Sequence, residues 1–543
     1  MPRPWTLLTL AAVPALALAA TSATGRAVSP PPAIGFSPVI DLGVSGGEPS
    51  IQDDGRGNVY ITSPNGIPSG ANSTTGVEFW RSTNGGGSFL APTAIGSSIG
   101  GGDSDVSADS AGNLYTADLE AAAADVQFSG DHGATFSSPG SQTGAEDDRE
   151  WLTPVGSALY VTYHDFANNV PLIDKTTNPT AGNAAVWTTG GSIFGTNAPT
   201  NATFAADANG DTLVSKPVVD AAGDIFVLTN TSTAAQNVAS GNAGPLDRLY
   251  ISESTDGGLT FTSTLINDIS NGGTNSGAWA HVFNQLAIDA GGNLYVAASG
   301  TTSAPGSGAP NAQIYLIRGT NNGGGSYTWS APIRILGSAD PYAEVFPAIA
   351  VGQAGQVAVG YYKTQAVTGC AASCYQDYRN ASNKFQFFIS QTLDALDPTP
   401  VFTETQVTTT SPHPGGICTD GIFCGLPVPQ DHGGNRNLAD FESMTEDPTG
   451  HIELVIPADQ DGATTHNLFY KQTTGALLVP GATNGNGTGN QTYLVLSTQT
   501  PEAPLALLLP LAGGVPIAIA IRRRRMHSKQ VTVDGTSVTS REQ

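Results

Sequence analysis

A short turn recurs along the chain and limits what the chain can fold into. It reads Ser254-Thr255-Asp256-Gly257-Gly258-Leu259-Thr260-Phe261, and again Ser129-Gly130-Asp131-His132-Gly133-Ala134-Thr135-Phe136. Looser copies run from Ser82 through Asn84 to Phe89, and from Thr320 through Asn322 to Tyr327. The shared order is hydroxyl, any residue, Asp or Asn, any residue, Gly, any residue, Thr or Ser, aromatic. The Asp or Asn oxygen accepts hydrogen bonds from backbone N–H groups of its own turn, and Gly supplies a positive φ. The hydroxyls tie the ends of the turn together, and the ring anchors it beneath a sheet.

A second repeat precedes each turn position. It is an apolar run, a Gly-containing turn and another apolar run, which is the pattern of a β-hairpin. The first copy is Glu48-Pro49-Ser50-Ile51 with Gly57-Asn58-Val59-Tyr60, and a clear one is Leu286-Ala287-Ile288-Asp289 with Gly292-Asn293-Leu294-Tyr295. Others begin at Asp105, Trp151, Pro217, Pro347 and Glu442. These seven copies predict an all-β chain folded as a seven-bladed β-propeller over residues 29–481, with six blades as the alternative. Composition agrees, with 66 Gly, 36 Pro and only 12% charged residues. Phe36 to Leu42 matches the outer-strand pattern seen after a turn at Phe89-Leu90-Ala91-Pro92, yet no blade precedes it. The seventh hairpin is followed by a third strand at Asn467 to Lys471 and no obvious fourth. The N-terminal strand is therefore expected to complete the last blade and close the ring.

The turn repeat resembles the Asp box, or bacterial neuraminidase repeat, of sialidase-like β-propellers. The resemblance implies that Asn84, Asp131, Asp256 and Asn322 are structural, on turns joining strands three and four at one face. It also implies that ligand binds at the opposite face, around the axis. Sialidase catalytic domains have six blades, so a count of seven departs from them. The resemblance further implies a Tyr nucleophile with a Glu partner, an Asp acid/base and three Arg residues gripping a sugar carboxylate. The family's N-terminal Arg-Ile-Pro motif is missing here, and Arg56 falls in a hairpin turn on the wrong face. Arg149 and Arg436 are candidates for two of the three arginines.

The innermost strands start with unusually polar residues: Glu48, Asp103, Arg149, Glu150, Lys216, Asn284, Glu344 and Asp440. Tyr163-His164-Asp165, Tyr361-Tyr362-Lys363 and Asp459 stand at the ends of second strands. The candidate catalytic set is Arg149, Glu150, Tyr163, His164, Asp165, Glu344 and Arg436. A His beside carboxylates can shuttle a proton, and paired carboxylates cleave glycosides. The plainer reading is that these groups hydrogen-bond one another around a wet channel.

Formal net charge is −24. The middle of the chain is more acidic still, because Arg3, Arg26, Arg522 to Arg525, Lys529 and Arg541 lie near the ends. Such a surface argues against nucleic acid or anionic lipid as partner, and gives an anionic sugar no long-range steering. Residues 1–28, with Arg3 ahead of the apolar Leu7 to Ala20, read as a signal peptide. Residues 482–503 read as a spacer rich in Gly, Asn and Thr. Residues 504–521 are apolar and Arg522 to Arg525 follow, so the segment reads as a membrane span or a sorting signal, with 522–543 a basic cytoplasmic tail. Its start, Pro501-Glu502-Ala503-Pro504, is similar to a bacterial sorting signal of the Pro-Glu-Pro type. Attachment to the cell surface or membrane follows on either account.

Export favours disulfides for Cys370, Cys374, Cys418 and Cys424, paired locally or across loops. Asp207-Ala208-Asn209-Gly210-Asp211 is a weak calcium loop that lacks the closing Glu, so no metal or other cofactor is expected. The leading expectation is a propeller binding a glycan or extracellular protein on its axial face. The alternatives are an exo-acting glycoside hydrolase of the sialidase type and a structural or adhesive surface protein.

Overall fold

The computed structural model describes residues 29–478 except 45, 66–75, 97–102, 121–122, 138–146, 166–169, 195–211, 232–245, 270–278, 280–282, 302–310, 338–339, 420–433 and 463. The signal peptide, the Asp207–Asp211 stretch, Cys424 and all that follows residue 478 lie outside the described residues.

Seven antiparallel sheets follow one another along the chain, each running outward from its first strand. Blade 1 is Ser50–Asp53, Val59–Pro64, Val77–Ser82 and Thr93–Ile95. Blade 2 is Ser104–Ala108, Leu114–Glu120 and Ala123–Ser129. Blade 3 begins with Asp147–Val155 and Ala158–Asp165, and blade 4 is built around Ile225–Thr231 and Arg248–Ser254. Blade 5 contains Leu294–Gly300 and the long Gln313–Gly323, and blade 6 starts with Glu344–Val351 and Val357–Thr364. Blade 7 is Ser443–Glu446, Ile452–Ala458 and His466–Thr474.

The outer edge of blade 7 is made by Gly35–Phe36 and Ile40–Val44, both antiparallel to His466–Thr474. Ile40 pairs with Phe469, and Ser37 N–H donates to the Lys471 carbonyl at 2.8 Å. The expected closure by the N-terminal strand is thus present. The arm leading to it crosses blade 6, where Ile34 N–H donates to Thr405 Oγ1 at 3.3 Å.

The strands are apolar on both faces because each blade is sandwiched between two others. Ile51, Val59 and Ile61 of blade 1 pack with Val455 and Phe469 of blade 7. Tyr60 and Phe79 pack with Val106 and Leu114 of blade 2. Equivalent clusters fill the other five interfaces, and the one between blades 6 and 7 joins Phe385 to Met444. Among the described residues the facing sheets pack against one another, which is what makes radial repetition stable.

The recurrent turns carry the expected hydrogen bonds. Ser254 Oγ donates to Asp256 Oδ1 at 2.9 Å and accepts from Gly258 N–H at 2.9 Å, while Asp256 Oδ2 accepts from Thr260 Oγ1 at 2.6 Å. Ser129 with Asp131, and Ser82 with Asn84, repeat the arrangement. Blades 3 and 6 have related turns without the full motif: Thr176 Oγ1 donates to Asn178 at 2.8 Å and Thr392 Oγ1 to Asp394 at 2.5 Å, and the two acceptors each take a backbone N–H from further along, Val186 and Val401. Glycine is needed at the fifth position for space as well as φ. At Gly133 (φ 74°) a Cβ would lie 2.6 Å from the Phe79 ring of the preceding blade, and at Gly86 (φ 78°) 2.6 Å from Phe469. The turn is therefore the point where one blade seats on the last.

Asn322 is a correction. Its strand continues to Gly323 and turns back at Gly324 and Gly325 into Ser326–Trp329. Asn322 Nδ2 donates to Thr328 Oγ1 at 2.9 Å, and the Ser-to-Gly bond of the other turns is replaced by hairpin pairing. The run of three glycines lets the strand extend where the other copies must bend.

Candidate functional site

The turns between strands one and two lie beside those between strands three and four, as the bond from Gly85 N–H to the Gly57 carbonyl (2.9 Å) shows. Arg56 is in this layer, donating to the Ser110 carbonyl. The starts of the innermost strands are therefore at the other end of the axis. Four of them are bent by a residue other than glycine in the left-handed region: Glu48 (φ 54°), Arg149 (51°), Phe346 (55°) and Ala439 (59°). In blades 3 and 6 the pairing register also shifts there, between Asp148 and Trp151 and between Val345 and Ala348. Such bulges cost about 1 kcal/mol or more each and re-aim the side chains they carry.

Blades 7, 1, 2 and 3 bring one acidic group together. Arg436 Nη2 bonds to Asp440 and, at 3.3 Å, to Glu48 Oε1. The Arg436 side chain remains 26% exposed, whereas those of Glu48 and Asp440 are buried. Burial drives the Glu48 carboxyl well above its usual range, and Asp103 and Asp440 push it further against the pull of Arg436. Burial raises Glu150 in the same way, reinforced by Asp103 and opposed by Arg149. Asp103 is thus the node between Glu48 and Glu150.

Below that group the axis is plugged. Asp105 Oδ1 accepts from Ser50 Oγ (2.6 Å), and its Oδ2 accepts from Leu152 N–H (2.8 Å) and holds Lys216 Nζ (3.0 Å). One carboxylate thereby ties blades 1, 2, 3 and 4. Arg149 is fully buried, with Cζ 3.7 Å from the Trp151 ring centre and 4.2 Å from that of Phe441. Trp151, Phe283 and Phe441, from blades 3, 5 and 7, pack against one another at centroid distances of 5.5 to 6.2 Å.

The remaining candidates go elsewhere. Tyr163 turns into the core between blades 2 and 3 and donates to Asp174 at 3.3 Å. His164 is buried opposite Asp148 in the strand register, and Asp165 lies opposite Asp147. Glu344 belongs to a second group, between blades 5 and 6, where its Oε2 accepts from Ile314 N–H at 2.9 Å. Burial lifts its pKa to about 8, with Asp340 adding to the rise and Ile314 N–H, Lys363 and Arg334 opposing it. Lys363 binds Asp340 (2.6 Å) and Glu404 (2.9 Å), and Tyr361 donates to Glu404 at 2.8 Å. Tyr163 thus bonds Asp174 and Tyr361 bonds Glu404, and neither carboxyl belongs to the axial group. Sequence reasoning also passed over Asp105, Trp151, Phe283 and Phe441 as a set, since their spacing carries no motif.

Cys370 and Cys374 form a local disulfide, with Cα atoms 5.7 Å apart, and Cys418 is disulfide-bonded as well. Among the described residues no group of three or more His, Cys, Asp or Glu side chains is arranged to hold a metal ion.

No family model matches the chain, and no curated protein matches its sequence. Among solved structures it is similar to a polysaccharide lyase of family PL25, an ulvan lyase, with a TM-score of 0.47 and 10% identity over 81% of this chain and 95% of that one. It is also similar to an α-L-arabinofuranosidase from Fusarium graminearum, with a TM-score of 0.38 and 12% identity over 81% of this chain and 96% of that one. A third is the NanB sialidase from Streptococcus pneumoniae, with a TM-score of 0.37 and 11% identity over 82% of this chain and 70% of that one. Likeness at this level transfers no activity.

Proposed function

We propose that this chain is an exported, surface-attached propeller that binds a neutral glycan on its axial face and does not hydrolyse sialosides. The observation that carries this reading is the group of Glu48, Asp103, Glu150 and Asp440 around the partly exposed guanidinium of Arg436. Burial favours the protonated form of Glu48 and Glu150, in which a carboxyl both donates and accepts, and arginine only donates, which together suit sugar hydroxyls. Of the arginines that the sialidase resemblance would use, Arg149 is fully buried against aromatic rings and the charge of Arg436 is already met by two acids, so neither presents a solvent-facing, unpaired guanidinium to a sugar carboxylate. Arg3 with the apolar Leu7–Ala20 run supports export, and residues 504–525 support attachment.

A second reading, a glycoside hydrolase, is favoured by one feature. Burial raises the Glu150 carboxyl and Asp103 adds to the rise, which favours the protonated form a general acid starts from. A glycan array with wild type and Arg436→Ala, run alongside a chromogenic glycoside panel that includes sialosides, separates the readings. Binding lost in Arg436→Ala without turnover supports the proposal. Turnover abolished by Glu150→Gln replaces it with the hydrolase, and a blank result in both assays leaves the propeller as a spacer.

A further inference from the structure

Arg149 has more donors than the axial cluster uses. Its Nη1 donates to the Ser104 carbonyl at 3.1 Å. Its Nε and Nη2, the two N–H groups that form the side-on fork of a guanidinium, meet no acceptor among the described residues although the residue is fully buried. Trp151 and Phe441 pack on the guanidinium, and the Phe283 centroid is 5.9 Å from its carbon. Two further buried donors without partners come from neighbouring segments: Ser104 Oγ, on the residue whose carbonyl Arg149 holds, and Asn284 Nδ2, next to Phe283 in the chain.

The obvious counter-ion does not serve. Both oxygens of Glu150 are also without a hydrogen-bond partner, so its carboxyl and the Arg149 fork do not meet. Burial favours the neutral form of Glu150, which leaves the guanidinium uncompensated. Lys216, the buried cation of the same plug, is already neutralised by Asp105. A buried charge with open donors is strongly unfavourable unless something pairs with it.

We propose that the Arg149 fork is a binding site for a small inorganic monoanion of chloride size, lodged at the axis among blades 2, 3, 5 and 7. The donors at the site are the two N–H groups of the guanidinium edge, so it selects an acceptor with no proton of its own. Arg149 is fully buried, so the site suits a small ion better than a multi-atom sugar acid. Selection is local, because the overall charge of −24 repels anions at a distance. The ion's role is structural: it completes the contact between the plug and the bent strand at Arg149.

Thermal unfolding of the purified protein at constant ionic strength, with sodium chloride replacing sodium gluconate, tests this. Tm is expected to rise by roughly 2 °C or more as chloride increases. Arg149→Lys, which keeps the charge without the fork, is expected to need about ten times more chloride for the same rise, an effect of ~1.4 kcal/mol. Arg149→Met is expected to show none. Because either variant is open to misfolding, bromide-soaked crystals of the wild type give the independent reading, an anomalous peak at the fork. A melt insensitive to chloride, or a fork occupied only by water at saturating bromide, overturns the proposal. Glycan binding through Arg436 is scored separately and survives either result.

Discussion

The two ends of the propeller axis use the same kind of residue in opposite ways. At the turn end, Asp131 and Asp256 accept hydrogen bonds from Thr135 and Thr260, first from the hydroxyl and then from the backbone N–H, and their pKa values fall to about 2. At the strand-start end, burial leads and neighbouring acids add, so Glu48 and Glu150 rise well above the usual range. An acid supplied with donors by its own turn is an architectural part. An acid buried among other acids is kept neutral against its chemistry, and such groups gather where ligands are held.

Breaking the plug should have the largest effect. Asp105→Ala strands Lys216 in the core and is expected to cost about 3–5 kcal/mol in denaturant unfolding, with part recovered by adding Lys216→Met. The titration of the strand-start acids comes next. Glu344 has a folded pKa near 8 against an ordinary 4.5, so between those values the folded chain holds a proton that the unfolded chain releases. Its contribution is complete below about pH 4.5 and is lost as pH rises through about 8. Melting temperature should therefore fall over that window, less steeply in Glu344→Gln. Asp256 is depressed instead, so its contribution is lost only as pH falls through about 2. The smallest effects separate one turn from another. Asp256→Ala should cost about 1 kcal/mol without changing glycan binding, whereas Asn322→Ala should stay within about 0.5 kcal/mol. Equal losses would mean that the two turns are built alike.

Most of the architecture was legible in the sequence because each blade repeats the same local demands. The hairpin glycines and the turn order mark strand ends, and the unmatched strand near Phe36 points to blade 7. The asparagine turn at Thr320 to Tyr327 misled because its extra glycines permit a second geometry. The axial site was legible only in part. Polar residues at strand starts identified Glu48, Asp103, Glu150 and Asp440, but not who meets whom. Trp151, Phe283 and Phe441 come from three blades, and nothing in their local sequence distinguishes a ring over Arg149 from ordinary core. The left-handed bends were invisible too, since Glu48, Arg149 and Phe346 are not residues that favour such a conformation. Glu344 occupies the same repeat position as the others, yet a neighbouring backbone N–H draws it into a different group.

The strand that closes blade 7 imposes a wait on the growing polypeptide. Ser37 and Lys471 are 434 positions apart, so at about 5–20 residues per second the first strand stands unmatched for roughly 20–90 s of synthesis. During that interval the edge it will cover does not exist in its own molecule.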